Sequence, residues 1–224
     1  MSGNGRPTWR LHSVRPLERE GWAGVSAGID LDGRATELWF AVPEAHADVV
    51  RVSADPFVAA MLVPALFRGA EIRSDHPVSP ALLRRVRRVE GLLRGWLPDR
   101  TRPITVSAEP VAAEAPRGAI RAVSFFAGGV DSFDTAIRNL ASPAIGNPPL
   151  THAVYLPEFD GPARRSAQRI TGTIRALGLE PIVAGTNLRQ VFPVDWEWHR
   201  GTALAAFAQA LAEGSGWPSS RPAS

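Results

Sequence analysis

The chain has 224 residues, 45% of them hydrophobic and 21% charged, enough for one large domain or two small ones with a real core. Its 20 glycines and 20 prolines follow no period, and the longest apolar run, Phe57 to Phe67, is broken by Pro64, so collagen-like, disordered and membrane-spanning chains are excluded. The calculated isoelectric point near 10.7 rests on a formal charge of only +3 in a chain with no lysine, no cysteine and one tyrosine, which makes it weak evidence for a polyanionic partner. Without lysine or cysteine there is no Schiff-base, thiolate-metal or disulfide chemistry, and any anion must be held by arginine or backbone. The N-terminal run Met1-Ser2-Gly3-Asn4-Gly5-Arg6-Pro7 lacks the apolar core of a signal peptide, so a cytoplasmic protein with no membrane partner is expected.

In chain order, the first part reads as mixed α and β without a βαβ rhythm. Strands are expected at Trp9 to Val14, Glu37 to Val42 and Ile104 to Ala108. Asp55-Pro56 signals a helix start, with Asp55 as N-cap, Pro64 as a kink and Gly69 as the stop. Ser79-Pro80 opens a second helix to about Leu97, on which Leu82, Val86, Val89, Leu93 and Trp96 recur as one buried face. Arg84, Arg85, Arg87, Arg88 and Arg94 of that helix could follow an RNA backbone, although a solvated face is the ordinary meaning of such a run. The stretch Ala108 to Pro116 has the composition of a linker, and a domain boundary is placed at 116/117.

Beyond it, strands and helices alternate. Strands are expected at Ala119 to Phe126, His152 to Leu156 and Pro181 to Ala184, and helices at Asp131 to Leu140, Pro162 to Leu177 and Gly201 to Ala212. This pattern implies a parallel α/β sheet over residues 117–213, followed by an irregular tail at 214–224. At the end of the first strand stands Ser124-Phe125-Phe126-Ala127-Gly128-Gly129-Val130-Asp131-Ser132-Phe133. Two glycines between a strand and a helix let the backbone turn sharply and bring the helix's first N–H groups toward a phosphate. A Walker loop would need Gly-Lys-Ser/Thr and a dinucleotide loop three spaced glycines; neither is present.

What remains resembles the PP-loop of the ATP pyrophosphatase superfamily, whose signature is Ser-Gly-Gly-x-Asp-Ser after a hydrophobic strand; here Ala127 replaces the first serine. The chain looks most like a group of bacterial proteins in that superfamily, on the strength of this stretch together with Glu37-Leu38-Trp39-Phe40 and Ala54-Asp55-Pro56-Phe57. The resemblance implies an N-terminal α+β domain followed by a Rossmann-like parallel sheet, left incomplete by the length of the chain, with the loop strand as an exposed edge. It also implies ATP and Mg²⁺ as cofactors, with an acceptor activated by adenylation and pyrophosphate released. On this basis Ala127, Gly128, Gly129, Val130, Asp131 and Ser132 would bind ATP, Asp131 would hold Mg²⁺, and Asp131 and Ser132 would be catalytic. Asp160, after the second strand beside Glu158 and Phe159, and Arg189, after the third, would complete the nucleotide site. His199 and Arg200 open the last helix, the histidine reading as packing beside Trp196 and Trp198. The acceptor would be a small molecule or a tRNA, and a second copy or another chain would complete the sheet. Two other functions stay open: an inactive or truncated nucleotide-binding module, and an RNA-binding accessory protein acting through the arginine helix.

Overall fold

In the computed structural model, described for residues 6–111, 122–141, 149–159 and 167–211, the chain forms an α/β protein with two sheets. The boundary expected at 116/117, the tail and Asp160 lie outside these residues.

Three long strands, β1 (Thr8–Arg19), β2 (Trp22–Leu31) and β3 (Arg34–Pro43), form an antiparallel meander. The short strands β4 (Glu71–Ser74) and β5 (Val106–Ser107) join in parallel on the β1 side. Pro16 lies in the part of β1 beyond its pairing with β4, so its missing N–H breaks no ladder bond on that side. Parallel strands β6 (Ala122–Phe125), β7 (Leu150–Tyr155) and β8 (Glu180–Val183) make the second sheet, in that order. Among the described residues β6 pairs only with β7 and stands at the edge of that sheet. Strand β9 (Gly185–Thr186) leaves β8 and pairs with β3, giving the six-strand order β5-β4-β1-β2-β3-β9.

Helix α1 (Asp55–Arg68) is apolar on all sides and, accordingly, buried almost throughout. Its N-cap is Ala54 rather than Asp55; the Asp55 carboxylate is buried and accepts instead from the Ser79 N–H at 2.9 Å. Gly69, in the left-handed region at φ 73°, ends the helix as expected. Helix α2 (Pro80–Trp96) is capped by the Ser79 side chain and buries Leu82, Val86 and Leu93. Trp96 departs from the expected buried face: it stands 67% exposed in the last turn, where the helix runs past the core.

Helices α3 (Val130–Ala141) and α4 (Ala167–Ala176) cover one face of the parallel sheet, where Phe126, Ala153, Tyr155, Ile170 and Ile174 make a small core. The alternation along β7 sends Val154 to the opposite face, where it joins Ile182 and the last helix in the main core. That last helix, α6 (Trp196–Ala210), follows the single turn α5 (Leu188–Val191) and packs along α1. It begins five residues before the expected Gly201, because the Asp195 side chain caps it by accepting from the Glu197 N–H at 3.2 Å. Phe207 of α6 touches Phe40 at 5.6 Å and Phe125 at 6.3 Å between ring centroids, so one side chain joins both sheets. No helix among the described residues is long and apolar enough to cross a membrane.

Candidate functional site

The C-terminal ends of β6 and β7 open into a cleft of about 260 Å³. That is slightly below the ~300–1,000 Å³ usual for small-molecule pockets, and the cleft is open to solvent. Phe125, Phe126, Val154, Leu156 and Phe159 supply an apolar floor and side. The polar groups are Ala127 and Ser132 from the glycine turn and Arg200 from α6, with Leu204 one helical turn beyond.

The turn itself has the conformation that its residues suggest. Gly128 sits at φ 71°, a left-handed position that a side chain would strain. Gly129 is different: its φ is not positive, and a Cβ there would meet nothing within 4 Å. Neither backbone strain nor packing among the described residues calls for glycine at 129. The N–H groups of Ser132 and Phe133 are directed to the Gly129 carbonyl at 3.1 and 3.2 Å, so the first turn of α3 is tight. Ser132 Oγ accepts from the Ala127 N–H at 3.2 Å, closing the loop on itself while leaving the hydroxyl proton to donate elsewhere.

Val130 and Asp131 are exposed in the first turn of α3, Val130 at 84%, and neither lines the cleft. No group of three or more His, Asp or Glu side chains among the described residues could hold a metal. Asp131 would therefore have to act as a single protein ligand alongside phosphate oxygens and water, a mode that suits Mg²⁺.

The chain matches no protein-family model, no curated protein and no solved structure.

Arg189 lies beside the cleft. Its Nη1 donates to the Glu158 carbonyl at 3.1 Å, and its guanidinium stands 4.9 Å over the Trp196 ring, which in turn lies 4.6 Å from Phe159. This ladder ties the end of β7 to α5 and α6; of its members only Phe159 lines the cleft, and Arg189 does not. Arg200, by contrast, lines the cleft and makes no ion pair among the described residues. The spacing of Arg200 and Leu204, four apart on one helix face, was the available signal for it.

His199 turns the other way. It is fully buried, with Nε2 3.0 Å from the Ala60 carbonyl of α1; a carbonyl can only accept, so Nε2 carries the proton. The Ala60 carbonyl is the one that Pro64 leaves without its helical N–H donor. His199 Nδ1 is buried with no hydrogen-bond partner, and burial holds the imidazole pKa down to about 4 despite the opposing effect of the bond to Ala60. This histidine serves packing, as its aromatic neighbours suggested.

Asn187 also works structurally. Its Oδ1 accepts from the Trp39 N–H at 3.0 Å and its Nδ2 donates to the Glu37 carbonyl at 2.7 Å, extending the β3–β9 pairing by a side chain.

Proposed function

We propose that the cleft binds the phosphates of ATP with Mg²⁺, and that the protein is an ATP-dependent enzyme of the PP-loop type that adenylates an acceptor. The observation that carries this reading is Arg200: an arginine with no ion-pair partner among the described residues lines the same cleft as Ala127 and Ser132 of the glycine turn. Arg200 is solvent-exposed at the cleft, where an incoming anion can reach its guanidinium, and a phosphate is the anion that a glycine turn at a strand end accommodates. Gly129 supports the same reading, since nothing in the described chain requires the absence of a side chain there.

The roles of the chain's residues follow from their positions. The Gly128-Gly129 turn admits the phosphate chain close to the backbone, Ser132 donates its hydroxyl proton, and Arg200 neutralises charge from the α6 side. The apolar floor of Phe125, Val154 and Leu156 accepts the uncharged part of the nucleotide. Bound ATP with Mg²⁺ supplies the reactive α-phosphorus: an acceptor oxygen forms a bond to it, the bond to the β-phosphate oxygen breaks, and pyrophosphate leaves.

Isothermal titration with ATP and Mg²⁺ tests the reading. Binding by the parent chain, abolished by Gly129→Asp with the melting curve unchanged, is the expected result. No binding by the parent, or equal binding by the variant, removes it. A second reading, a module that binds nucleotide without turning it over, is favoured by Ala127, which offers no hydroxyl where the family loop has serine. Pyrophosphate release with any carboxylate acceptor separates the two.

A further inference from the structure

The positive charge of the chain is concentrated in one element. Helix α2 (Pro80–Trp96) carries five arginines against one glutamate, a local excess of +4 in a chain whose whole formal charge is +3, so the remainder is slightly acidic. Arg10, Arg15, Arg19, Arg68 and Arg73 each face a carboxylate within 3.3 Å. Arg84, Arg85, Arg87 and Arg88 are exposed and have no such partner among the described residues. Four guanidiniums within five positions repel one another, and among the described residues none of the four has a carboxylate in ion-pair contact.

The exposed apolar residues of α2 stand beside them. Trp96 is 67% exposed and Leu92 49%, unusual for a tryptophan in a core-packed helix. At about 100° per residue, Arg85, Arg88, Leu92 and Trp96 fall within about 80° of one another, with Arg84 adjoining. The buried face of the same helix is occupied by Leu82, Val86 and Leu93, so α2 cannot turn an apolar face into a lipid bilayer. What it presents is a row of cations ending in a bare indole. Cations that follow a phosphate backbone, together with an aromatic plane on which a base can stack, are the two elements of single-strand recognition.

We propose that the exposed face of α2, with Arg84, Arg85 and Arg88 on phosphates and Trp96 stacked on a base, binds single-stranded nucleic acid. This surface is independent of the nucleotide cleft and does not rest on it.

The full chain is titrated with a labelled single-stranded RNA oligonucleotide, the matching DNA, heparin and phosphatidylserine vesicles, by anisotropy and tryptophan emission. Binding to the oligonucleotides is expected with a log–log salt slope near −2, about 0.7 per neutralised phosphate for three arginines. Arg84→Glu/Arg85→Glu/Arg88→Glu should abolish it, and Trp96→Ala should weaken it at least about fivefold and remove the emission quench. Both variants keep the parent's melting curve, because the altered side chains are exposed. Tighter binding of RNA than DNA, or the reverse, identifies the source, and Gly129→Asp leaves the affinity unchanged in either case. Three results overturn the proposal: no oligonucleotide binding at about 50 mM salt, heparin binding as tightly with Trp96→Ala silent, or binding to vesicles alone.

Discussion

The contact between His199 and the Ala60 carbonyl yields a stability effect whose size follows from the structure. Pro64 removes the N–H that would bond Ala60 within α1, and His199 on α6 supplies the donor instead, at 3.0 Å. His199→Leu keeps the packing volume but leaves that carbonyl buried without a partner, a loss of about 1–3 kcal/mol. In a Pro64→Ala background the new N–H of residue 64 takes the carbonyl, and the same His199→Leu change should cost at least about 1 kcal/mol less. Protonation adds a second signature. The folded-state pKa is about 4 against 6.5 for the free imidazole, so the unfolded chain binds the proton first. The stabilisation is complete above pH 6.5 and falls as the pH drops from 6.5 toward 4. The loss amounts to about 2 kcal/mol between pH 7.5 and 5. Asp75, held down by its hydrogen bond from Arg10, adds its own acid sensitivity only below about pH 5. In Glu37, burial pushes the carboxyl up but bonds from Arg15 and Ser26 bring it down overall, with the same consequence. Urea unfolding followed by tryptophan emission, on the four members of the cycle at pH 7.5 and 5, measures both effects. Additivity within about 0.5 kcal/mol, or a His199→Leu chain that loses as much stability at pH 5 as the parent, would refute the reasoning.

Arg200→Ala should weaken ATP binding by about tenfold or more, the worth of a charge-assisted hydrogen bond, whereas Arg189→Ala, which faces Glu158 and Trp196, should weaken it far less. Equal losses in titration would sink the distinction. Gly24→Ala should destabilise the β2–β3 pairing by about 1–3 kcal/mol or prevent folding, since its Cβ would lie 2.1 Å from the Phe40 carbonyl oxygen. Gly91→Ala, with open space around it on α2, should instead raise stability by up to about 1 kcal/mol in the same melt.

Gly24 also shows why part of the fold was hidden. The segment Trp22 to Leu31 carries two glycines, two alanines and a serine, a composition that reads as loop, yet it forms the strand between β1 and β3. A Cβ at Gly28 would lie 2.4 Å from the His12 ring, so the small residues answer to close neighbours that no local pattern reveals. Where stability comes from local signals the reading was accurate: Ser79-Pro80 starts α2, Gly69 ends α1, and the βα alternation after residue 121 gives a parallel three-strand sheet. Trp96 was misplaced because helical periodicity gives an angle but not where the core ends along the axis. The Gly128-Gly129 turn was legible because its chemistry is contiguous in sequence; Arg200 was only half legible, because its place depends on how α6 docks.

That docking is what makes the cleft one site rather than a loop. Ala127 and Ser132 come from the parallel sheet, whereas Arg200 comes from a helix whose buried side, Ala203, Ala206, Phe207 and Ala210, belongs to the core shared with α1. The chain reaches that helix only by crossing at β9 to the edge of β3, where Thr186 Oγ1 donates to the Trp39 carbonyl at 2.6 Å and Asn187 adds its two bonds. The distance between the cation and the glycine turn is therefore set by two packing surfaces at once: Phe207 against Phe40 and Phe125, and His199 against α1. Core positions such as Phe207 should then influence binding at the cleft without touching a ligand, since a shift of about 1 Å in a charged group spoils the hydrogen-bond geometry that positions an anion.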